Sequence, residues 1–307
     1  GEQHDAPHSA RPSDGADAGV IWQGVSTSFL RQLKGDFSAV AGLSTEATVH
    51  DVVEAVIKPR HRTGPYCQVA ERVGETAEAT IFVSYAWKYR AVDLLDALIN
   101  FGEEHPGSYF WIDMLMVDQN QAQVLPDDFW TVTFRKAIGR IGHTVMVLSP
   151  WEDPLPLTRA WCLFELHSSV LTGASFDVLL ADHERTRLRN AVLKSPTTLT
   201  DAMVAVDLKR AEASIAADKE MIFASIAQTE GGIHGLNVQV LRLLRNWVLM
   251  AAKELCQHDA WTDDKLQVAR LFTNVGTVLC DNGDHDGALD MCRKCLTIRE
   301  ATLGTEH

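Results

Sequence analysis

Between Ala79 and Asp207 short apolar runs alternate with helix-patterned stretches, and this alternation restricts the chain's folding options more than any other feature. Thr80-Ile81-Phe82-Val83-Ser84-Tyr85 reads as a buried strand. Apolar residues at helical spacing follow it, at Val92, Leu95, Leu98 and Ile99. Tyr109-Phe110-Trp111-Ile112 is a second strand and Phe129–Ile141 a helix. Thr144–Leu148 is a third strand, and the helix after it carries Trp161 and Glu165. Phe176–Leu180, helix His183–Leu193 and Met203-Val204-Ala205-Val206 complete the series. Strands that are separated by helices pair in parallel, because the return path needs a crossover. The expected fold class is α/β, a doubly wound parallel sheet spanning residues 79–230.

The flanks have other textures. Residues 1–19, with almost no large apolar side chain, read as a disordered tail. Residues 20–78 read as a helical extension, with Phe29/Leu30/Leu33 and then Val49/Val52/Val53/Val56/Ile57. The second run is expected to be capped by Ser44 or Thr45 and to stop before Pro59. Residues 231–263 form a helical connector, and 264–307 a helical hairpin: Lys265–Cys280 and Asp286–Thr302 around Asp281-Asn282-Gly283-Asp284. A net charge of −13 argues against nucleic-acid or anionic-membrane partners, which need a basic surface. No run approaches 18 apolar residues, and Arg242 and Arg245 interrupt the most apolar helix. The six cysteines have no framework spacing, so reduced thiols and a cytoplasmic location are expected.

In an open α/β sheet, ligands bind beyond the carboxyl ends of the strands, where the strand order reverses. For five strands in the flavodoxin-like order, that point lies between the first and the third. Ser84 and Trp87 end the first, Ser149 ends the third, and Trp161 and Glu165 follow. Trp161 and Glu165 are four residues apart, so a helix places them on one face. The candidate site is therefore Ser84, Trp87, Ser149, Trp161 and Glu165. A plainer reading has Glu165 exposed and paired with Arg159 or His167, with Trp161 capping the core.

Phe82-Val83-Ser84-Tyr85, with Arg90 and Asp93, resembles the opening of a Toll/interleukin-1 receptor (TIR) domain. Phe110-Trp111-Ile112-Asp113 resembles its second strand. Val147-Leu148-Ser149-Pro150 and Trp161-Cys162-Leu163-Phe164-Glu165-Leu166 resemble its third strand and following helix. The C-terminal hairpin resembles one tetratricopeptide repeat of the kinesin-light-chain type, through Ala269, Leu271, Asn274, Val275-Gly276, Leu279, Gly283, Ala288, Leu289, Leu296, Ile298, Leu303-Gly304 and His307. The layout is similar to algal and protist proteins that join the two. Some TIR members hydrolyse NAD to nicotinamide and ADP-ribose or a cyclic form, with the catalytic Glu at the place of Glu165; others are scaffolds. The resemblance thus implies either an NAD glycohydrolase or a non-enzymatic adaptor. In the first, Glu165 is catalytic, Trp161 is a stacking wall, and Ser84, Trp87 and Ser149 line the pocket. It further implies self-association of the TIR-like domain and protein binding by the repeat; a kinesin-light-chain-like cargo adaptor is a third reading. NAD would be a substrate, and no permanently bound cofactor is expected. Two departures stand out: the segment Met114–Phe129, expected to close over a ligand, is Gln/Asn-rich, and the Arg90–Asp93 spacing is offset.

Other chemistries lack their parts. Cys292-Arg293-Lys294-Cys295 has no second CxxC or His pair, both cysteines are expected to face the inter-helix core, and Cys256 with His258 does no better, so no metal site is expected. Asp113, Asp118, Asp127 and Asp128 lack a calcium-loop glycine and read as a solvated acidic loop. Walker, GxGxxG and GxSxG motifs are absent. A single repeat cannot bury its own faces. The chain is therefore expected to be cut from a longer protein, or its last repeat to cap an interface.

Overall fold

The computed structural model describes residues 22–40, 43–121, 127–195, 208–213, 215–256 and 264–304. Six strands form one sheet: β1 (Gln23–Ser26), β2 (Thr76–Glu78), β3 (Ile81–Ser84), β4 (Tyr109–Trp111), β5 (His143–Val147) and β6 (Ser175–Leu179), in the order β2-β1-β4-β3-β5-β6. Strands β4, β3, β5 and β6 run parallel. They correspond to the first four strands read from the sequence, in the order second, first, third, fourth. The fifth expected strand, Met203–Val206, lies outside the described residues, as do residues 1–19.

The extension corrects the sequence reading. It is not purely helical: β1 pairs antiparallel with both β2 and β4 and so lengthens the sheet. β1 and β2 are only 4 and 3 residues long, too short for an alternation to stand out. Between them lies α1 (Thr27–Ser38), which buries Phe29, Leu30, Leu33 and Phe37. Next comes α2, formed by Val49–Val52, a π-helical turn Val53–Ile57, and Lys58–Arg60. Its N-cap is Thr48 in a capping box with Asp51, not Ser44 or Thr45, and it runs through Pro59. Helix α3 (Cys67–Arg72) completes the extension.

The remaining helices are α4 (Ala91–Glu104), α5 (Asp113–Met116), α6 (Asp127–Ile141), α7 (Ala160–Thr172), α8 (Asp182–Lys194), α9 (Ala216–Ala227), α10 (Gly232–Leu255), α11 (Lys265–Asp281) and α12 (His285–Leu303). Helix α7 is enclosed: Ala160 and every residue from Cys162 to Ser169 are buried. Helices α11 and α12 cross where Gly276 lies against Met291 and Ala288. Arg245 donates to the Asn282 carbonyl and Lys253 pairs with Asp284 at 2.6 Å, so α10 holds the hairpin turn. One contiguous apolar core runs from Val25 in β1 to Cys295 in α12. No helix among the described residues is long and apolar enough to cross a membrane.

Candidate functional site

At the carboxyl end of β3, the Ser84 hydroxyl donates to Glu165 Oε2 at 2.5 Å. Ser84 is fully buried and Glu165 is 7 % exposed. Burial pushes the Glu165 carboxyl up to about 8; the Ser84 hydrogen bond and Arg159 oppose that rise, and Asp113 adds to it. With so little water around it, the charged form is disfavoured relative to the neutral acid.

Beside this pair lies a second carboxylate. Asp113 opens α5 just after β4 and accepts hydrogen bonds from the Tyr85 hydroxyl, from Trp87 Nε1 at 2.9 Å and from the Met114 N–H at 2.7 Å. Desolvation raises its pKa against these three donors. Asp113 is therefore no solvated loop residue, as the sequence suggested. Asp118 is also committed, accepting from the Gly64 and Asn120 N–H groups at 2.8 and 2.9 Å. The Asp127 and Asp128 side chains lie outside the described residues.

Of the five candidates, Ser84 and Glu165 touch, and Trp87 donates to Asp113, which acts on Glu165 through its charge. The other two hold different contacts. The Ser149 N–H donates to the Tyr89 hydroxyl at 2.8 Å, and its Oγ donates to Glu184 at 3.4 Å. Trp161 packs edge-on against Phe134 and Phe164, and its Nε1 donates to Asp218 at 3.0 Å. His167, the alternative partner for Glu165, faces Thr229 at 3.2 Å instead, and desolvation and Arg135 push its pKa down to about 4. Arg159 is half-buried at the N-cap of α7 and acts on Glu165 and Asp113 through charge alone.

Sequence reasoning missed Asp113 as a site residue, along with its donor Tyr85 and Cys162, whose thiol meets the Tyr85 carbonyl at 3.3 Å. Asp113 lies just past β4, as Ser84 ends the adjacent β3, so strand-end position was the signal that could have found it. The following segment is fastened over residues 114–121; residues 122–126 lie outside the described residues. Gln119 is buried and donates to the carbonyls of Asp113 and Val117 at 2.9 and 3.2 Å, and Asn120 Nδ2 donates to the His61 carbonyl at 2.9 Å. The extension covers the other side, where the Val49 and His50 N–H groups donate to the carbonyls of Tyr89 and Trp87 at 2.8 and 3.1 Å.

In the hairpin, Cys295 is buried but Cys292 is exposed, which corrects the expectation that both face the core. Among the described residues no group of three or more His, Cys, Asp or Glu side chains is close enough to hold a metal ion. Residues 268–307 match the tetratricopeptide repeat family, a repeat whose arrays bind other proteins. No curated protein and no solved structure matches the chain.

Proposed function

We propose that this chain is a signalling scaffold of the cytoplasm: a flavodoxin-like, TIR-type α/β domain that self-associates, joined to a repeat hairpin that binds a protein partner. The observation that carries this reading is the repeat match at residues 268–307, on a hairpin that leaves Leu289, Leu296 and Leu303 exposed. The enclosed state of Glu165 supports a scaffold over an enzyme. Burial pushes its carboxyl up to about 8, and Trp87, Trp161 and Ser149 are each engaged by protein groups. Cross-linking of wild type and of Leu289→Glu/Leu296→Glu tests the repeat's role. Retention of the same cross-linked partners by the double variant would sink it. Sedimentation of the wild-type chain tests self-association.

The strand-end position of the Glu165–Ser84 pair favours a second reading, NAD glycohydrolysis. Nicotinamide leaves as a neutral base from a cationic ring, so no general acid is required. An ionised Glu165 would stabilise the oxocarbenium-like transition state and hold the ribose hydroxyls. Trp161 would stack on the substrate, with Ser84, Trp87 and Ser149 lining the pocket. Ionisation of Glu165 requires pH near or above 8, or admission of water. NAD consumption by concentrated and by artificially clustered protein at pH 7 and 9, wild type against Glu165→Ala, decides the matter. Equal rates in the two proteins, or none, exclude the enzyme.

A further inference from the structure

Helix α8 meets helix α11 where the α/β part of the chain joins the repeat hairpin. A side chain of α11 makes the join: Asn274 Nδ2 donates to the Val192 carbonyl at 2.6 Å and to the Leu193 carbonyl at 3.2 Å. A helix leaves its last carbonyls without intrahelical partners, and they form its negative end. Asn274 covers two of them. Beside this join the two helices leave a cleft of about 330 Å³, at the small end of the range for ligand sites.

The described residues that line it are Asn190, Leu193 and Lys194 of α8, and Gln267 and Arg270 of α11. Asn190 and Lys194 are four residues apart on one helix, and Gln267 and Arg270 three apart on the other. Each wall therefore presents one amide and one cation on the same face. No acidic side chain is among these residues. The four polar side chains have no hydrogen-bond or ion-pair partner among the described residues. Other cations of the same region are paired: Arg187 with Glu152 and Glu184, Lys253 with Asp284, Lys294 with Asp290. In a chain of net charge −13, two unpaired cations sharing one cleft without an acid make a local positive field that draws an anion.

The donors narrow the kind of anion. A guanidinium offers a planar fork that meets two oxygens of one phosphate, and an ammonium adds a point charge. The amide N–H groups supply directional contacts beside each cation. One cation with one amide suffices for a single phosphate, and the cleft has such a set on each wall.

We propose that this cleft binds a soluble ligand carrying two linked phosphate groups, with Lys194 and Asn190 holding one and Arg270 and Gln267 the other. A ligand seated there bridges α8 and α11, and so adds to the contact that Asn274 makes between the α/β part and the hairpin. Because the site needs both helices in place, binding favours the folded chain and raises its thermal midpoint with ligand concentration.

The experiment is calorimetric titration and thermal denaturation of the full chain at near-physiological salt and without divalent cations. The probes are inorganic pyrophosphate, ADP and inorganic phosphate. Pyrophosphate and ADP are expected to bind at one site per chain and to raise the midpoint, with phosphate at least about tenfold weaker. ADP binding tighter than pyrophosphate assigns a nucleoside diphosphate; otherwise the pyrophosphate group alone is recognised. Lys194→Ala and Arg270→Ala are each expected to weaken pyrophosphate binding by about tenfold or more, the effect of losing a charge-assisted hydrogen bond. Arg242→Ala, which removes an exposed cation of α10 that does not line the cleft, is expected to leave binding unchanged. All three side chains are exposed, so the variants keep the wild-type fold, checked by circular dichroism. Absence of binding by both diphosphates at millimolar concentration, phosphate binding as tightly as pyrophosphate, or an equal loss in Arg242→Ala would each overturn the proposal.

Discussion

Glu165 is the residue whose chemistry differs most from its exposed counterpart. Its pKa is about 8 in the folded chain and near the ordinary 4.5 when unfolded. Between those values the unfolded state has released a proton that the native state retains. Its contribution to stability is therefore fully present below pH 4.5 and is lost as pH rises through 8, at about 1.4 kcal/mol per unit. His167 acts in the opposite direction: with a folded value of about 4 against 6.5, it costs stability as pH falls from 6.5 towards 4. Glu165→Gln keeps the shape and removes the titration. We expect this variant to gain thermal stability relative to wild type steadily from pH 5 to pH 8, by a few kcal/mol at most, measured by calorimetry at each pH. A constant offset between the two proteins would contradict the buried-acid assignment. The thiols make a second prediction. Exposed Cys280 and Cys292 should alkylate first, while Cys67, pushed up to about 12 by burial, and buried Cys162 and Cys295 stay protected until unfolding. Mass spectrometry of timed iodoacetamide quenches reads this directly. The sequence made Glu165 a candidate through its spacing from Trp161. It could not reveal that the two side chains take different partners, because Asp218 and Ser84 reach them from distant parts of the chain.

At the scale of elements, the strands buried on both faces were legible because each is a continuous apolar run, as in Ile81-Phe82-Val83 and Val145-Met146-Val147. Strand β1 was not, since Gln23-Gly24-Val25-Ser26 has one buried apolar side chain and its pairing is entirely nonlocal. Gly24 shows what holds it there. A Cβ at that position would lie 2.7 Å from the Tyr109 carbonyl carbon and 2.9 Å from the Phe110 nitrogen, both backbone atoms that cannot swing aside. Gly24→Ala is expected to cost about 1–3 kcal/mol, with faster amide exchange in β1 and β2, and little change in β5 and β6. An unchanged midpoint in urea would show that β1 does not pair as described. The capping box on α2 is a milder case. Thr48→Ala should cost about 1 kcal/mol, because it leaves the Asp51 N–H without its side-chain acceptor.

The whole molecule joins its parts through one apolar core, with Val275, Val278 and Leu279 of α11 continuous with the core under the sheet. Val275→Ala is therefore expected to lower the unfolding midpoint of the α/β part together with that of the hairpin, by about 1–3 kcal/mol. Far-UV circular dichroism and tryptophan fluorescence should report coincident transitions; separated transitions would mean that the hairpin folds by itself. Local periodicity in the sequence was enough to determine the alternation of strands and helices over residues 81–194 and the length of the hairpin, because those patterns are written within one element or two adjacent ones. Tertiary structure alone decided that the extension lengthens the sheet, that Asp113 joins Tyr85 and Trp87, that Glu165 is closed against Ser84, and that Asn274 reaches across to α8. Each of these depends on groups far apart in sequence meeting where water is excluded, and no local pattern encodes which distant partner will be there.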